Sequence, residues 1–469
     1  MGARVQTPQA ACAQGNGAEL GDHPSPRRRP AGRKPGPSPT YESFGGQLLA
    51  LIRRCFAELN RWLDALPDPR RQELCVYLGR HIWWQMLLTF LLRDGSRNAF
   101  DGDRNSGQMP QNVLKLCNQE WDVLRLGERR TVTCSENAKR HATRVPVAAV
   151  AALLVLMVRR LMQMRLLDSA RLFNRWWLIA IDGTLQDRGR TCKRGQARYR
   201  YVVEAKLVGP QGTMFSLMTE FEDVRDPVRD KQDCELNAFK RLAKRLYAEF
   251  PRLPICLLLD GLYPVEALFD LCAANGWMFI ATLREGRQPT AWDEAVQTML
   301  LSHSFVLKAR RPGEDGLVEQ TLRWTEKVPF GPHEHQVLFS GEISPKSATL
   351  WVWVTNFSLD RHNVYAIANQ GGRLRQGIEN VFNVEKNGGF GLEHAFCANN
   401  TAAQNYHLMM QVAHILEQLL VNGVLRRLTQ ACRKLTDSKL IELLRSSLMS
   451  VCIDPALPTF GQIRFYSSA

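Results

Sequence analysis

The chain has 469 residues, with 61 Lys and Arg against 46 Asp and Glu, for a formal net charge of +15. At roughly 150 residues per domain, that length suits two to four domains. A hydrophobic content of 45% allows a large core and excludes a wholly disordered protein. The cationic surplus points to a polyanionic partner, nucleic acid ahead of an anionic membrane surface.

Residues 1–40 are rich in Pro, Gly, Ala and Arg, and HPSPRRRPAGRKPGPSP is expected to be a flexible basic tail. Its cluster at 27–34 would add at most loose, salt-sensitive phosphate attraction. Met1 to Leu20 lacks an apolar stretch preceded by basic residues, so no signal peptide is read there. Residues 41–173 carry a helical pattern, as in SFGGQLLALIRRCFAELNRWLDAL and RRQELCVYLGRHIWWQMLLTFLLR, and are read as a helical N-terminal domain with a candidate role in DNA binding. The longest apolar stretch, Val145 to Val158, has 14 residues and contains Pro146. A membrane span needs roughly 20, so a core helix is expected and no membrane association. The 12 cysteines are scattered without a CxxC pair, which suits reduced thiols in a cytosolic protein.

At Trp176 the texture changes. WWLIAIDGT, RYRYVVEAKLV and GTMFSLMTEFE read as a meander of three strands, followed by a basic amphipathic helix, CELNAFKRLAKRLYAEF. PRLPICLLLDG is a buried strand, YPVEALFDLCAANG a helix closed by Gly276, and WMFIATL a fifth strand. Three antiparallel strands, a helix, then βαβ is the order of a ribonuclease-H-like domain. The fold class expected is therefore α/β: a ribonuclease-H-like mixed-sheet catalytic core over 174–284 and 351–425. Residues 285–350 read as an inserted β subdomain, and 426–469 as a C-terminal helix and tail.

Asp182 and Asp260 each follow an apolar strand and precede Gly. At strand ends two carboxylates can meet at the rim of a sheet, where a dication of the Mg²⁺ or Mn²⁺ kind relieves their repulsion. The Gly after each leaves room for a phosphate to approach the backbone. Either Asp alone would more simply begin a turn. In GRLRQGIENVFNVEKNGGFGLEH, helical spacing puts Arg375, Glu379, Asn383 and Lys386 on one stripe, an acid among cations. Trp324 in the inserted segment could stack on a base, though an edge-strand core role fits its position better. Lys240, Arg241, Lys244 and Arg245 form a basic run suited to DNA backbone or to a solvated helix face.

These residues resemble a known family. AIDGT, KQDCELNAFKRL, LLLDGLYPVEALFDLCAANGWMFIATL, VTNF and RQGIENVFNVEKNGGFGLEHAF are similar to the DDE transposases of bacterial insertion sequences, in the group with a Tyr-x2-Arg-x3-Glu-x6-Lys signature. The similarity spans roughly 175–285 and 355–420. It implies that Asp182, Asp260 and Glu379 bind two Mg²⁺ (or Mn²⁺) ions and catalyse DNA cleavage and strand transfer. Arg375 and Lys386 would contact DNA phosphates, with Asn383 beside them. The partners implied are terminal inverted repeats and target DNA, met as a dimer, in the bacterial cytoplasm. The signature Tyr falls on Gly372. Two other readings stay open: a catalytically silent DNA-binding derivative, and a ribonuclease-H-like nuclease without strand transfer.

Overall fold

The structure, a computed structural model, describes residues 43–118, 131–189, 198–222, 231–301, 305–313, 316–394, 396–456 and 463–465. The expected basic tail, with its 27–34 cluster, lies outside the described residues.

Successive side chains of a strand point to opposite faces. Strand β1 (Trp177–Gly189) obeys this, with Leu178 and Ala180 in one buried cluster and Ile179 and Ile181 in another. Strand β2 (Arg198–Val208) pairs antiparallel with β1, and β3 (Met214–Glu222) pairs antiparallel with β2. On the other side of β1, β4 (Ile255–Leu259) and then β5 (Met278–Thr282) join in parallel. The helix Glu266–Asn275 links β4 to β5 and ends at Gly276, whose φ of 64° is the left-handed conformation that favours glycine.

The sheet does not stop at β5. β6 (Val306–Gly313), β7 (Gly316–Trp324), β8 (Val328–Phe330), β9 (His333–Ile343) and β10 (Ala348–Thr355) extend it. The spatial order is β3-β2-β1-β4-β5-β10-β9-β7-β6, with β8 paired to β9, giving ten strands in a mixed α/β arrangement. The segment read as an inserted β subdomain thus continues the main sheet through β10. It also begins with a helix, Pro289–Leu301, that the sequence reading missed. That helix has mixed polarity and only Ala295 fully buried, so its apolar stripe is weak.

One face of the sheet carries the helix Gln376–Asn387, which buries Ile378, Phe382 and Glu385 at helical spacing. The other face packs against Lys231–Glu249, Glu266–Asn275 and the N-terminal helices in one continuous core, which the apolar residues of the long helix Asn400–Leu420 join while its polar residues reach Glu204 and Lys206 on the first face. By its mix of apolar and polar residues the long helix Asn400–Leu420 would have one solvated face. Instead it is buried on nearly every side, including Asn405, His407, Gln411, His414 and Glu417. Among the described residues it is the one continuous helix, Asn400–Leu428, long and apolar enough to cross a membrane, and 89% of its apolar stretch is buried inside the protein. The Val145–Val158 stretch lies mostly in the helix Val147–Gln163, with seven residues in the core. The described cysteines are all free, most of them buried.

The polar residues of the long helix hold the helix Gln376–Asn387 to the sheet. The Lys206 Nζ on β2 donates to Glu385 Oε1 at 2.8 Å, Gln411 Oε1 at 2.8 Å and Ser216 Oγ at 2.9 Å. His414 Nδ1 stands 3.1 Å from Glu385 Oε1. Beside them His407 Nε2 lies 2.6 Å from Glu204 Oε1, which also accepts from Thr219 Oγ1 at 2.9 Å. Burial alone would raise the Glu385 carboxyl, but the Lys206 ammonium and His414 outweigh it and hold the group down at about 2.

Lys206→Met should strand Glu385 in the core and cost about 3–5 kcal/mol in denaturant unfolding. Adding Glu385→Leu should recover most of that loss. Because the folded carboxyl sits below its ordinary 4.5, its stabilisation should be complete above that pH and be lost as the pH falls toward about 2.

Candidate active site

The site begins with strand register. β1 and β4 pair from Trp177↔Ile255 to Ala180↔Leu258. Continued two residues further, the same register sets Asp182 opposite Asp260. β4 ends at Leu259, whereas β1 runs on to Gly189 with only β2 beside it. Asp182 was expected to end its strand; it lies within a longer one, at the point where its parallel neighbour stops. The alternation that sends Ala180 and Leu258 into one cluster sends Asp182 and Asp260 the same way, to the face that carries Ile378 and Phe382. This is also where the chain departs to either side of β1, the usual position of ligand sites in open α/β sheets.

A short 3₁₀ turn, Gly372–Arg375, leads into the helix Gln376–Asn387 and delivers Arg375 onto the two aspartates. The Arg375 Nη2 donates to Asp182 Oδ2 at 3.0 Å and stands 3.9 Å from Asp260 Oδ2. Its Nη1 donates to Glu379 Oε1, one turn along. One guanidinium, 8% exposed as a residue, therefore joins all three carboxylates that the sequence singled out. Burial pushes the Asp182 carboxyl up to about 7. Arg375 opposes that shift, while Asp260, Glu235 and Glu379 add to it by repulsion.

Three carboxylates against one guanidinium leave an excess of two negative charges. All the donors are hard oxygens, the type that suits Mg²⁺ or Mn²⁺. The donor chemistry therefore fits a dication, although Arg375 now stands between the carboxylates. Among the described residues no three of His, Cys, Asp and Glu form a ready-made metal cluster.

The remaining expected residues fall elsewhere. Asn383 is exposed and its Oδ1 accepts from Asn387 Nδ2 at 2.7 Å. Lys386 Nζ pairs with Glu393 at 3.0 Å, about two turns from Glu379. Lys240 and Lys244 are exposed, but Arg241 and Arg245 of the same run grip Glu220 of β3 at 2.6 and 2.9 Å. Trp324 is 5% exposed and stacked on Phe305, with ring centroids 5.7 Å apart, so it serves the core and presents no open face to a base.

The glycines after the aspartates have a different use from the one expected. A Cβ on Gly183 would lie 2.7 Å from the Glu235 carboxyl carbon, and one on Gly261 would lie 2.9 Å from the Arg284 side chain. Side chains already fill both spaces. Glu235 was overlooked in the sequence. The available signal was its place on the apolar stripe of its helix, in step with Ala238, Phe239 and Leu242. At Gly372, where the signature has Tyr, a Cβ would lie 2.6 Å from the buried Trp353 ring.

Gly372→Ala should therefore lower stability by about 1–3 kcal/mol through overpacking, and Gly372→Tyr by more, as read by thermal unfolding. Neither a scan against protein-family models nor a search of curated proteins finds a match for the chain.

Proposed function

We propose that the protein is a DDE transposase: a metal-dependent DNA phosphoryl-transfer enzyme that cuts at insertion-sequence ends and joins the freed strand to target DNA. The observation that carries this reading is the meeting of Asp182, Asp260 and Glu379 on Arg375. The order β3-β2-β1-β4-β5, antiparallel then parallel, supports a ribonuclease-H-like catalytic core.

In this reading Asp182, Asp260 and Glu379 would hold the Mg²⁺ or Mn²⁺ ions. When bound, these supply an activated water and stabilisation of the leaving oxygen. The carboxylates come from a strand interior, a strand end and a helix, and so are held by rigid elements. Arg375 keeps them together when no substrate is present, and its two donor nitrogens suit a phosphate equally well. Water attacks the scissile phosphorus, the 3′ oxygen departs as a hydroxyl, and a 5′-phosphate remains. That 3′-OH then displaces a 3′ oxygen in target DNA by the same in-line exchange.

A second reading, a silent DNA-binding derivative, is favoured by one observation: the place of the signature Tyr is Gly372, closed off by Trp353. A strand-transfer assay on the terminal inverted repeats separates the two. A nuclease without transfer would release cut ends and no joined product.

Asp182→Asn, Asp260→Asn and Glu379→Gln should each reduce Mg²⁺-dependent cleavage of end DNA below detection while largely sparing DNA binding in a gel-shift assay. Wild-type cleavage from any one of them would remove that residue from the catalytic set. Since a proton occupies Asp182 below about 7, Mn²⁺ affinity measured by calorimetry should climb as the pH is raised through that value and level off above it.

A further inference from the structure

The helix Lys231–Glu249 brings a fourth carboxylate to the same place. Glu235 is 6% exposed, and its carboxylate is seated against Gly183, the residue that follows Asp182. Both Glu235 oxygens lie 2.9 Å from where a Cβ at 183 would stand, so only glycine admits them. The hydroxyl of the buried Tyr263 donates to Glu235 Oε1 at 3.0 Å. Tyr263 belongs to the turn that begins at Asp260, whose Oδ1 accepts from the Leu262 amide at 2.8 Å. The turn that aims Asp260 therefore also aims Glu235. A hydrogen-bonding partner that fixes the direction of a carboxylate is the usual support of a metal ligand.

We infer that Glu235 is a fourth acidic ligand of the dication site, reaching the Asp182 rung from the opposite face of the sheet, across the gap left by Gly183. This rests on the function proposed above. Charge supports it. Asp182, Asp260, Glu379 and Glu235 carry four negative charges against one on Arg375, and a scissile phosphodiester brings a fifth. Two dications with the guanidinium balance that total; with only three carboxylates the loaded site would be left positive. Asp182, Glu235 and Arg375 are largely buried, and a buried group tolerates uncompensated charge less than a surface one.

Titration of Mn²⁺ into the metal-free, full-length protein tests this without reference to turnover. Glu235→Gln keeps the shape and can still accept the Tyr263 hydrogen bond. It should weaken Mn²⁺ binding by about tenfold or more and shrink the rise in unfolding midpoint that Mn²⁺ produces. Tyr263→Phe, which keeps the carboxylate but frees its direction, should shift affinity in the same sense by less. Wild-type affinity and stoichiometry in Glu235→Gln, alongside loss of binding in Asp182→Asn, would overturn the role of Glu235 alone. Should the Gln variant not fold, unchanged affinity in Tyr263→Phe overturns it. No Mn²⁺ binding by the wild-type protein would overturn the proposed function as well.

Discussion

Two carboxylates on one rung of neighbouring parallel strands repel each other, and the surroundings of Asp182 and Asp260 answer that constraint. The backbone cannot move them apart, because both sit in or beside buried strands whose pairing sets their spacing. What remains is to bring in positive charge or to hold a proton. The protein does both: Arg375 reaches across from the next element, and Asp182 keeps its proton to about pH 7. A site so arranged has a standing preference for any stronger cation that reaches it.

Bringing Arg375 and Glu379 to that rung requires their helix to be fixed, yet Glu379 itself is 46% exposed and contributes little packing. The fixing is done two turns further along, where Glu385 is wholly buried between Lys206 of β2 and His414 of the long helix. A buried ion pair is weak evidence of stability, since desolvation takes back much of what attraction supplies. Its value here is directional. An apolar residue at 385 would pack in several ways, whereas a carboxylate shared by an ammonium and an imidazole fits in one.

Much of this was legible in the sequence. The strand order, the two aspartates, the Arg-Glu helix and its apolar spacing all follow from local pattern, because each is written in contiguous residues of one period. The less legible features depend on partners distant in the chain. Nothing near Asp182 says that β1 outlasts β4, because the end of β4 is set at Leu259, far along the chain. Glu235 looked like one more charge on a basic helix until Gly183 placed it. The His, Gln and Glu residues of the long helix carry no local sign of burial, because their partners Lys206, Glu204 and Arg93 lie far away in the chain. The inserted strands alternate as an independent hairpin would, so their union with β10 could only come from tertiary pairing.

The shared core has a consequence for how this chain can be divided. The helices between Phe44 and Gln163 close over the Asn400–Leu420 helix and the back of the sheet without a surface of their own at the junction. Cutting the chain near residue 174 would bare a long apolar helix on one product and a row of large side chains, Trp83, Trp84 and Phe90 among them, on the other. Neither piece could be lent to another protein as an interchangeable module. Among the described residues the N-terminal helices are thereby held in a fixed attitude to the carboxylates by the core they share.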